Sequence, residues 1–412
     1  MGSFILLLGS NIANVIAYLY HFILGPLLGK ADYGELVVFL SIISLLSSSY
    51  SFLGLLVMKI VSAEKNKQTA VDKFIGLVNQ FQKPALILAV ILLILIPLSD
   101  HFQIHVVTAI LIPPIFILSF LLFLYKSYLQ GNLNFYTLSI ASILEILFRL
   151  VFAFVFIKFG VRSVGAELGF LFSVLVLWFA LKRYIPQVRK LEKGISYKQF
   201  TEYGLPILLC SVATTAFFTV DVLLVRIFFS ASDSGIYGAA ATLGKMVLFS
   251  TIPITGVLFP LISKRHSEGA EGTNILLLSL LMTIGIGGVF ASAFYLIPHI
   301  IVSTLYRNSF TEAAPLLFPF SMFMLFLVLS LVFVNYYLPR ERYFPVKALF
   351  VGAIAQIIGI TTFHTSLLAV INVSMTVCFT LFVTLLVYFC YENKSFRKYL
   401  SKALSCYPRI QG

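Results

Sequence analysis

Four ionisable side chains in this sequence stand out inside long apolar runs, Glu145, Arg149, Asp221 and Lys245, with Arg226 at the outer edge of the run that holds Asp221, and their types and spacing carry the chemistry. A charge in the hydrocarbon core of a membrane costs roughly 2.5–3.5 kcal/mol on insertion scales, so each must face a partner, a water-filled cavity or a ligand. Glu145 and Arg149 are spaced i,i+4, which puts them on one helix face within pairing distance. Asp221 lies in the outer part of its run with Arg226 five residues further out, a spacing that suits either an interface pair with a snorkelling arginine or a place on a substrate. Lys245 has no acid within one helical turn. It sits ten residues in from Gly235, about 15 Å at 1.5 Å per residue, near the middle of a bilayer. It therefore needs a partner from another helix, a cavity or an anionic ligand. Cations in such a place can hold an anion. Asn11, Asn14, Tyr18 and Tyr20 add a polar cluster near the start of the chain, and Gln356 a lone amide near its end; helix–helix hydrogen bonding is the ordinary use of such groups.

These residues matter because of what surrounds them. Of 412 residues, 60% are hydrophobic and 11% charged, and the mean hydropathy is +1.01. A soluble domain carries about 25% charged residues, so this chain cannot cover a water-facing surface of its size. That excludes a cytosolic enzyme, a disordered scaffold and a nucleic-acid-binding domain despite a net charge of +13. Cys210, Cys378 and Cys390 lie in apolar runs and Cys406 in the tail, a spacing that suggests neither a disulfide scaffold nor a metal site. At about 20 apolar residues per crossing, the hydropathy pattern predicts twelve transmembrane helices: 4–28, 35–58, 81–98, 104–130, 135–157, 164–181, 203–228, 235–262, 275–298, 313–338, 345–364 and 366–390. Prolines within them (Pro113, Pro114, Pro206, Pro253, Pro260, Pro319) predict kinks or breaks.

Lys and Arg distribute unevenly over the connections. If the N-terminus is cytoplasmic, the inside segments 59–83, 131–134 with Lys126 beside it, 182–202, 263–274, 339–347 and the tail hold twenty-two, and the outside ones hold five: Lys30, Lys158, Arg162, Arg226 and Arg307. The positive-inside rule then puts both ends in the cytoplasm and the chain in the cytoplasmic membrane. No basic segment or small-residue cleavage site precedes the first span, and Leu6 stands where a myristoylation signal needs Ser or Thr, so neither a cleaved signal nor a lipid anchor is expected. The external connections are short, the longest being 299–312, which leaves no outer domain to hold a soluble site.

The basic stretch after the sixth span divides the chain into two lobes, 1–200 and 201–412, of six helices each. At an offset of 201, Ala31-Asp32-Tyr33-Gly34 aligns with Ser232-Asp233-Ser234-Gly235, and Ile60-Val61-Ser62 with Leu261-Ile262-Ser263. An even helix number means both halves start on the same side, as parallel repeats about an axis normal to the membrane, with the substrate site between them.

The residues at these positions carry a resemblance. Gly25-Pro26-Leu27-Leu28-Gly29 followed by Asp32-Tyr33-Gly34, then Gln130-Gly131 with Phe135, Tyr203-Gly204-Leu205-Pro206, Asp221-Val222-Leu223-Leu224-Val225 and Gly235-Ile236-Tyr237-Gly238-Ala239-Ala240 resemble the polysaccharide transporter family. Its members include Wzx-like O-antigen and teichoic-acid flippases, within the multidrug/oligosaccharidyl-lipid/polysaccharide (MATE-like) superfamily. The segment such proteins usually carry before their first span is nearly missing from this chain. The resemblance implies a flippase that moves an undecaprenyl-pyrophosphate-linked oligosaccharide across the membrane by alternating access between two six-helix lobes. It implies no catalytic residue, metal or cofactor, and as partners the lipid-linked glycan, membrane lipids and the glycan polymerase and glycosyltransferases of the same pathway, with no nucleic acid. On this reading Arg149, Lys245, Asn14 and Arg226 bind substrate, while Glu145 and Asp221 tune those cations or couple an ion, H⁺ or Na⁺. A cation-coupled multidrug antiporter and a lipid II flippase share the superfamily and remain alternatives. A membrane-embedded glycosyltransferase or polymerase would need larger outer loops or paired acids at the membrane surface.

Overall fold

The computed structural model describes residues 2–64, 66–184, 204–268 and 272–392. Every regular element among them is helical: α1 Gly2–Ser48, α2 Ser51–Ala63, α3 Lys67–Leu92, α4 Val106–Gly131, α5 Phe135–Lys158, α6 Arg162–Lys182, α7 Leu205–Phe217, α8 Val220–Phe228, α9 Ala231–Ser267, α10 Thr273–Leu296, α11 Pro298–Leu305, α12 Ala314–Tyr337, α13 Phe344–Thr362 and α14 Leu367–Glu392, with short 3₁₀ turns between some of them. Helices are what an apolar chain must form where lipid offers its backbone no hydrogen bonds. Their outer faces carry bare apolar side chains such as Val90, Leu281, Val289 and Val351, each more than 60% exposed, as suits contact with lipid. The chain is a multi-pass membrane protein. Among the described residues, ten helices are long and apolar enough to cross a membrane, or eleven with the bent pair α7–α8 taken as one span.

The hydropathy pattern predicts twelve crossings, and the difference lies in α1. A straight helix of 47 residues would be about 70 Å long, more than twice the hydrocarbon thickness. The chain instead turns at Gly29, whose φ of 75° and ψ of 176° belong to glycine. Asn14, Ala17, Tyr18 and His21 from the first arm line the same cavity as Val37, Leu40, Ser41 and Ser44 from the second. His21 Nδ1 lies 3.1 Å from Tyr33 Oη, twelve residues on. The two arms therefore fold back on one another at Gly29.

The repeat at an offset of 201 is visible as contacts across an axis. A Cβ on Gly34 would stand 2.7 Å from the nitrogen of Gly235 and 3.0 Å from the carbonyl oxygen of Ala231, while one on Gly235 would strike the carbonyl of Lys30. Residues 34 and 235 correspond at that offset, as do 30 and 231. Each half thus presents its glycine to the equivalent carbonyl of the other, the reciprocity of an isologous contact. One turn further, Val37 packs on Gly238, its own counterpart. The second arm of α1 and α9 cross here, close enough that only glycine fits.

Three further differences from the sequence expectation have plain causes. The basic connection 59–83 is mostly helical, because Asn66 caps α3 by accepting from the Gln68 N–H at 2.9 Å, well before the apolar run begins. The connection 299–312 contains α11. Span 203–228 is broken at Phe218–Thr219 with a 42° bend, far from Pro206, which sits harmlessly in the first turn of α7. Gln356 reaches from α13 to the Phe217 carbonyl at 3.1 Å and to Ser374 Oγ at 2.9 Å, satisfying a backbone group that the break releases. Cys210, Cys378 and Cys390 are free thiols. The boundary between the expected lobes at 200/201, most of the basic stretch 182–202, Tyr203, and the tail with Cys406 lie outside the described residues.

Candidate functional site

Between the two halves lies a cavity of about 390 Å³, walled by both arms of α1, by α5 and α6, and by the broken span and α9. A second cavity of about 420 Å³ continues from it, sharing Ile43, Ser47, Arg149 and Phe170, towards Lys126 near the end of α4. The walls follow the repeat: Ser41 and Ser44 of the first half correspond to Thr242 and Lys245 of the second, and Ala17 and Tyr18 to Phe218 and Thr219. The symmetry is broken where it matters for charge, since one half places a lysine where the other has Ser44.

Lys245 projects into the cavity over the Phe218 ring, its ammonium 5.7 Å from the ring centre. Among the described residues it has no hydrogen-bond or ion-pair partner; Asp221 acts on it only through its field. Arg149 stacks on Phe170 at 3.7 Å and donates from Nη2 to Glu145 Oε1 at 3.0 Å, the i,i+4 pair expected from spacing. Its Nε is buried without a partner, so the guanidinium keeps donors for something else. Glu145 also pairs with Lys126. Among the described residues, the two cavities are lined by three basic side chains, Lys126, Arg149 and Lys245, and one carboxylate, Glu145, a formal net charge of +2. Tyr18, whose phenol is buried with no partner, and Asn14 add polar groups from the first arm of α1.

One end of the cavity is sealed by contacts between the halves. Arg226 donates from Nε and Nη2 to the Gln103 carbonyl at 3.0 and 2.6 Å and from Nη1 to those of Ala31 and Ala231 at 3.3 and 3.5 Å. Lys30 pairs with Glu312 at 2.5 Å. Tyr33 Oη lies 3.0 Å from Tyr306 Oη and 3.3 Å from Thr242 Oγ1, closing the cavity floor below His21. The other end, towards the basic connections, has a slighter closure: Ser51 Oγ donates to Ser211 Oγ at 2.6 Å, both at the rim of the second cavity.

Of the residues singled out from sequence, Asn14, Arg149 and Lys245 meet in the cavity, and Glu145 joins them through Arg149. Arg226 and Asp221 do not. Arg226 is 5% exposed and belongs to the seal, because the short α8 ends beside the α1 turn and its guanidinium is consumed by carbonyls there. The expected Asp221–Arg226 pair is absent; Asp221, fully buried, accepts from the Tyr237 hydroxyl at 2.7 Å instead. Lys126 is the cavity residue that counting it with a basic connection hides, although it stands four residues inside predicted span 104–130. Glu35 and Glu167, near the edges of their spans, form a buried cluster outside the cavity, and the search for mid-span charges passes over them.

Comparison with known proteins agrees with this architecture. No curated protein matches the sequence. The fold is similar to that of a lipid II flippase MurJ in an inward closed conformation, with TM-score 0.74 at 14% identity over 97% of this chain and 90% of that one. It is also similar to a multidrug resistance MATE family transporter of the MOP superfamily, with TM-score 0.69 at 15% identity in its inward-facing conformation and 0.64 at 13% in its outward-facing one, over 96% of each chain in both cases. The family model described as polysaccharide biosynthesis protein matches residues 1–266, and the chain belongs to that family.

Proposed function

We propose that this protein is a flippase for a lipid-linked oligosaccharide, which it carries across the cytoplasmic membrane by alternating access between its two halves. The observation that carries the reading is the formal net charge of +2 of the two joined cavities, lined by residues of both halves. A pyrophosphate that joins a lipid to a sugar is doubly anionic, and desolvated phosphate oxygens are bound by charge-assisted hydrogen bonds from Arg and Lys. Lys245 and Arg149 have donors to spare and are oriented by aromatic rings. Glu145 keeps Arg149 and Lys126 in place, and Asn14 and Tyr18 face the sugars. The lipid tail stays in the bilayer.

In the form described, the head group has its way in past Ser51 and Ser211, and the seal at Arg226 and Lys30–Glu312 bars its exit. Translocation breaks the seal and closes the serine end, with α1 and α9 rolling about the Gly34–Gly235 crossing. The charge asymmetry of the connections supports a cytoplasmic basic face with both termini inside. Glycosyltransferases that build the glycan and a polymerase that uses it are the expected neighbours, and the chain itself transports rather than catalyses. A multidrug antiporter shares the fold, but three cations to one acid repel the cationic drugs such a pump would take. The test is expression in a strain lacking its own flippase: restored surface polysaccharide with clearance of lipid-linked glycan from the inner leaflet supports the reading. Drug resistance without any glycan export, across strains making different glycans, overturns it.

A further inference from the structure

Behind the seal, two carboxyl groups share one hydroxyl. Thr108 Oγ1 lies 2.9 Å from Glu35 Oε1 and 3.0 Å from Glu167 Oε1. Glu35 is well supplied with donors, accepting also from the His105 backbone N–H at 2.6 Å and from Ser163 Oγ at 2.9 Å. Glu167 is not. It has no exposed surface, and its Oε2 has no partner. The phenol of Tyr20, within electrostatic range of it, is likewise buried with no partner. A hydroxyl has a single proton to give. With both carboxyls ionised, one of the two Thr108 contacts would set lone pair against lone pair, and the buried Glu167 would have that single hydroxyl as its donor at most, a costly arrangement. The donor count closes when Glu167 carries a proton and gives it to Thr108 Oγ1, which in turn donates to Glu35.

We propose that Glu35, Thr108 and Glu167 form a proton-binding site that controls the seal, with the proton held on Glu167 in the sealed form. The same residues hold the seal in place. Glu35 fixes the head of α4 through His105, two residues after the Gln103 carbonyl that takes two of Arg226's hydrogen bonds, and it follows by one turn the Ala31 carbonyl that takes a third. The charged and titratable groups around the pair are Tyr20 and Asp32 from the two arms of α1, His105 at the head of α4, Arg162 at the head of α6, and Arg226 from α8. Asp32 and Arg162, 3.9 Å apart, line a small cleft on the sealed side, and Glu167 lies five residues into α6 from Arg162, about 7.5 Å deeper. A proton therefore exchanges with that side. Loss of the proton leaves a second carboxylate beside Glu35, which the cluster relieves by loosening the α1 turn and the α4 head from Arg226. The sign follows: the proton-bound site favours the sealed form, so acid favours sealing and the seal weakens as pH rises through the site's titration, by up to about tenfold in population per pH unit for one proton.

That the seal gates a glycan rests on the function proposed above; the proton site does not, and its test is separate. Infrared difference spectra of the purified full-length protein, titrated from acid to alkaline pH, should show the carbonyl stretch of a buried protonated carboxyl. That band should be missing in Glu167→Gln, kept in Glu145→Gln, and shifted in Thr108→Val, which removes the shared hydroxyl. Spin labels on the sealed side at Asp100→Cys and Asn308→Cys should separate with rising pH in an otherwise unaltered protein and no longer respond to pH in Glu167→Gln. An unchanged carboxyl band in Glu167→Gln, a label separation that still follows pH there, or one that follows sodium rather than pH overturns the proposal. Should Glu167→Gln fail to fold, Thr108→Val decides by the same two readouts. Absent glycan export with an intact pH response counts against the flippase reading and leaves this site standing.

Discussion

Replacing Lys245 by Met separates binding from stability, because the structure gives the two effects different signs. The ammonium has no hydrogen-bond or ion-pair partner among the described residues, so its charge is compensated only by the Phe218 ring at 5.7 Å and the field of Asp221. A charged side chain at this depth costs roughly 2.5–3.5 kcal/mol on insertion scales, against about 0.5–2 kcal/mol recovered from a cation–π contact. Lys245→Met, similar in length and without charge, should therefore insert and fold as well as the parent, with an unchanged or raised melting temperature. Its effect on substrate is opposite. A charge-assisted hydrogen bond to a phosphate oxygen contributes about 1.5–3 kcal/mol, so apparent affinity for the pyrophosphate-linked glycan should fall roughly 10- to 150-fold, at 1.4 kcal/mol per factor of ten. The assay is surface glycan and inner-leaflet lipid-linked glycan in cells lacking their own flippase, with the protein quantified in the membrane. Lys158→Met is the matched control. Its ammonium sits over the Phe154 ring at a similar 5.6 Å but lines neither of the two joined cavities, and its loss should leave export unchanged. Parental export and affinity in Lys245→Met would refute the assignment of this lysine to the substrate.

Other perturbations address the two ends of the cavity and the axis. Ser51→Cys with Ser211→Cys, at positions whose hydroxyls stand 2.6 Å apart, should form a disulfide on oxidation that stops export, with recovery on reduction; export unaffected by a verified cross-link would remove this end from the transport cycle. Arg226→Ala takes away the hydrogen bonds to the Gln103, Ala31 and Ala231 carbonyls, and at about 1.5–3 kcal/mol for each good charged hydrogen bond it should shift the population markedly towards an unsealed form. Thiol labelling of Thr242→Cys from the sealed side reads this directly and should accelerate at least tenfold. Gly235→Ala puts a methyl 2.6 Å from the Lys30 carbonyl carbon; overpacking of this kind costs typically 1–3 kcal/mol, and the same labelling should rise with it, whereas Gly256→Ala, with open space around its Cβ, should change nothing.

The apolar composition and the spacing of spans make the all-helical membrane fold legible, because lipid leaves the backbone no other way to satisfy itself. The repeat is legible in two short matches, and its offset carries through to the Gly34–Gly235 crossing and the paired cavity walls. Lys245 and Arg149 can be found from sequence for one reason: a charge deep in an apolar run has few explanations. Arg226 looks the same in one dimension, but its partners include backbone carbonyls 123 and 195 residues away, which carry no sequence signature. Lys126 escapes because distance to the end of a helix does not tell whether a long side chain reaches outward or back towards Glu145. The break at Phe218–Thr219 has no proline to announce it. It is held by Gln356, whose amide was visible but whose target was not. Glu35 and Glu167 sit where a carboxylate at a helix end would normally be solvated, and only the fold shows both turned inward onto Thr108.

The central claim, that the cationic cavity takes the pyrophosphate head of a lipid-linked glycan, is tested most directly by reconstitution. Purified protein in liposomes, given a fluorescent pyrophosphate-linked oligosaccharide lipid in one leaflet, should move it to the other. The same glycan on an uncharged lipid linker should not move, and Lys245→Met and Arg149→Met together should abolish the difference. Equal transfer of the charged and uncharged lipids by the parental protein would contradict the account.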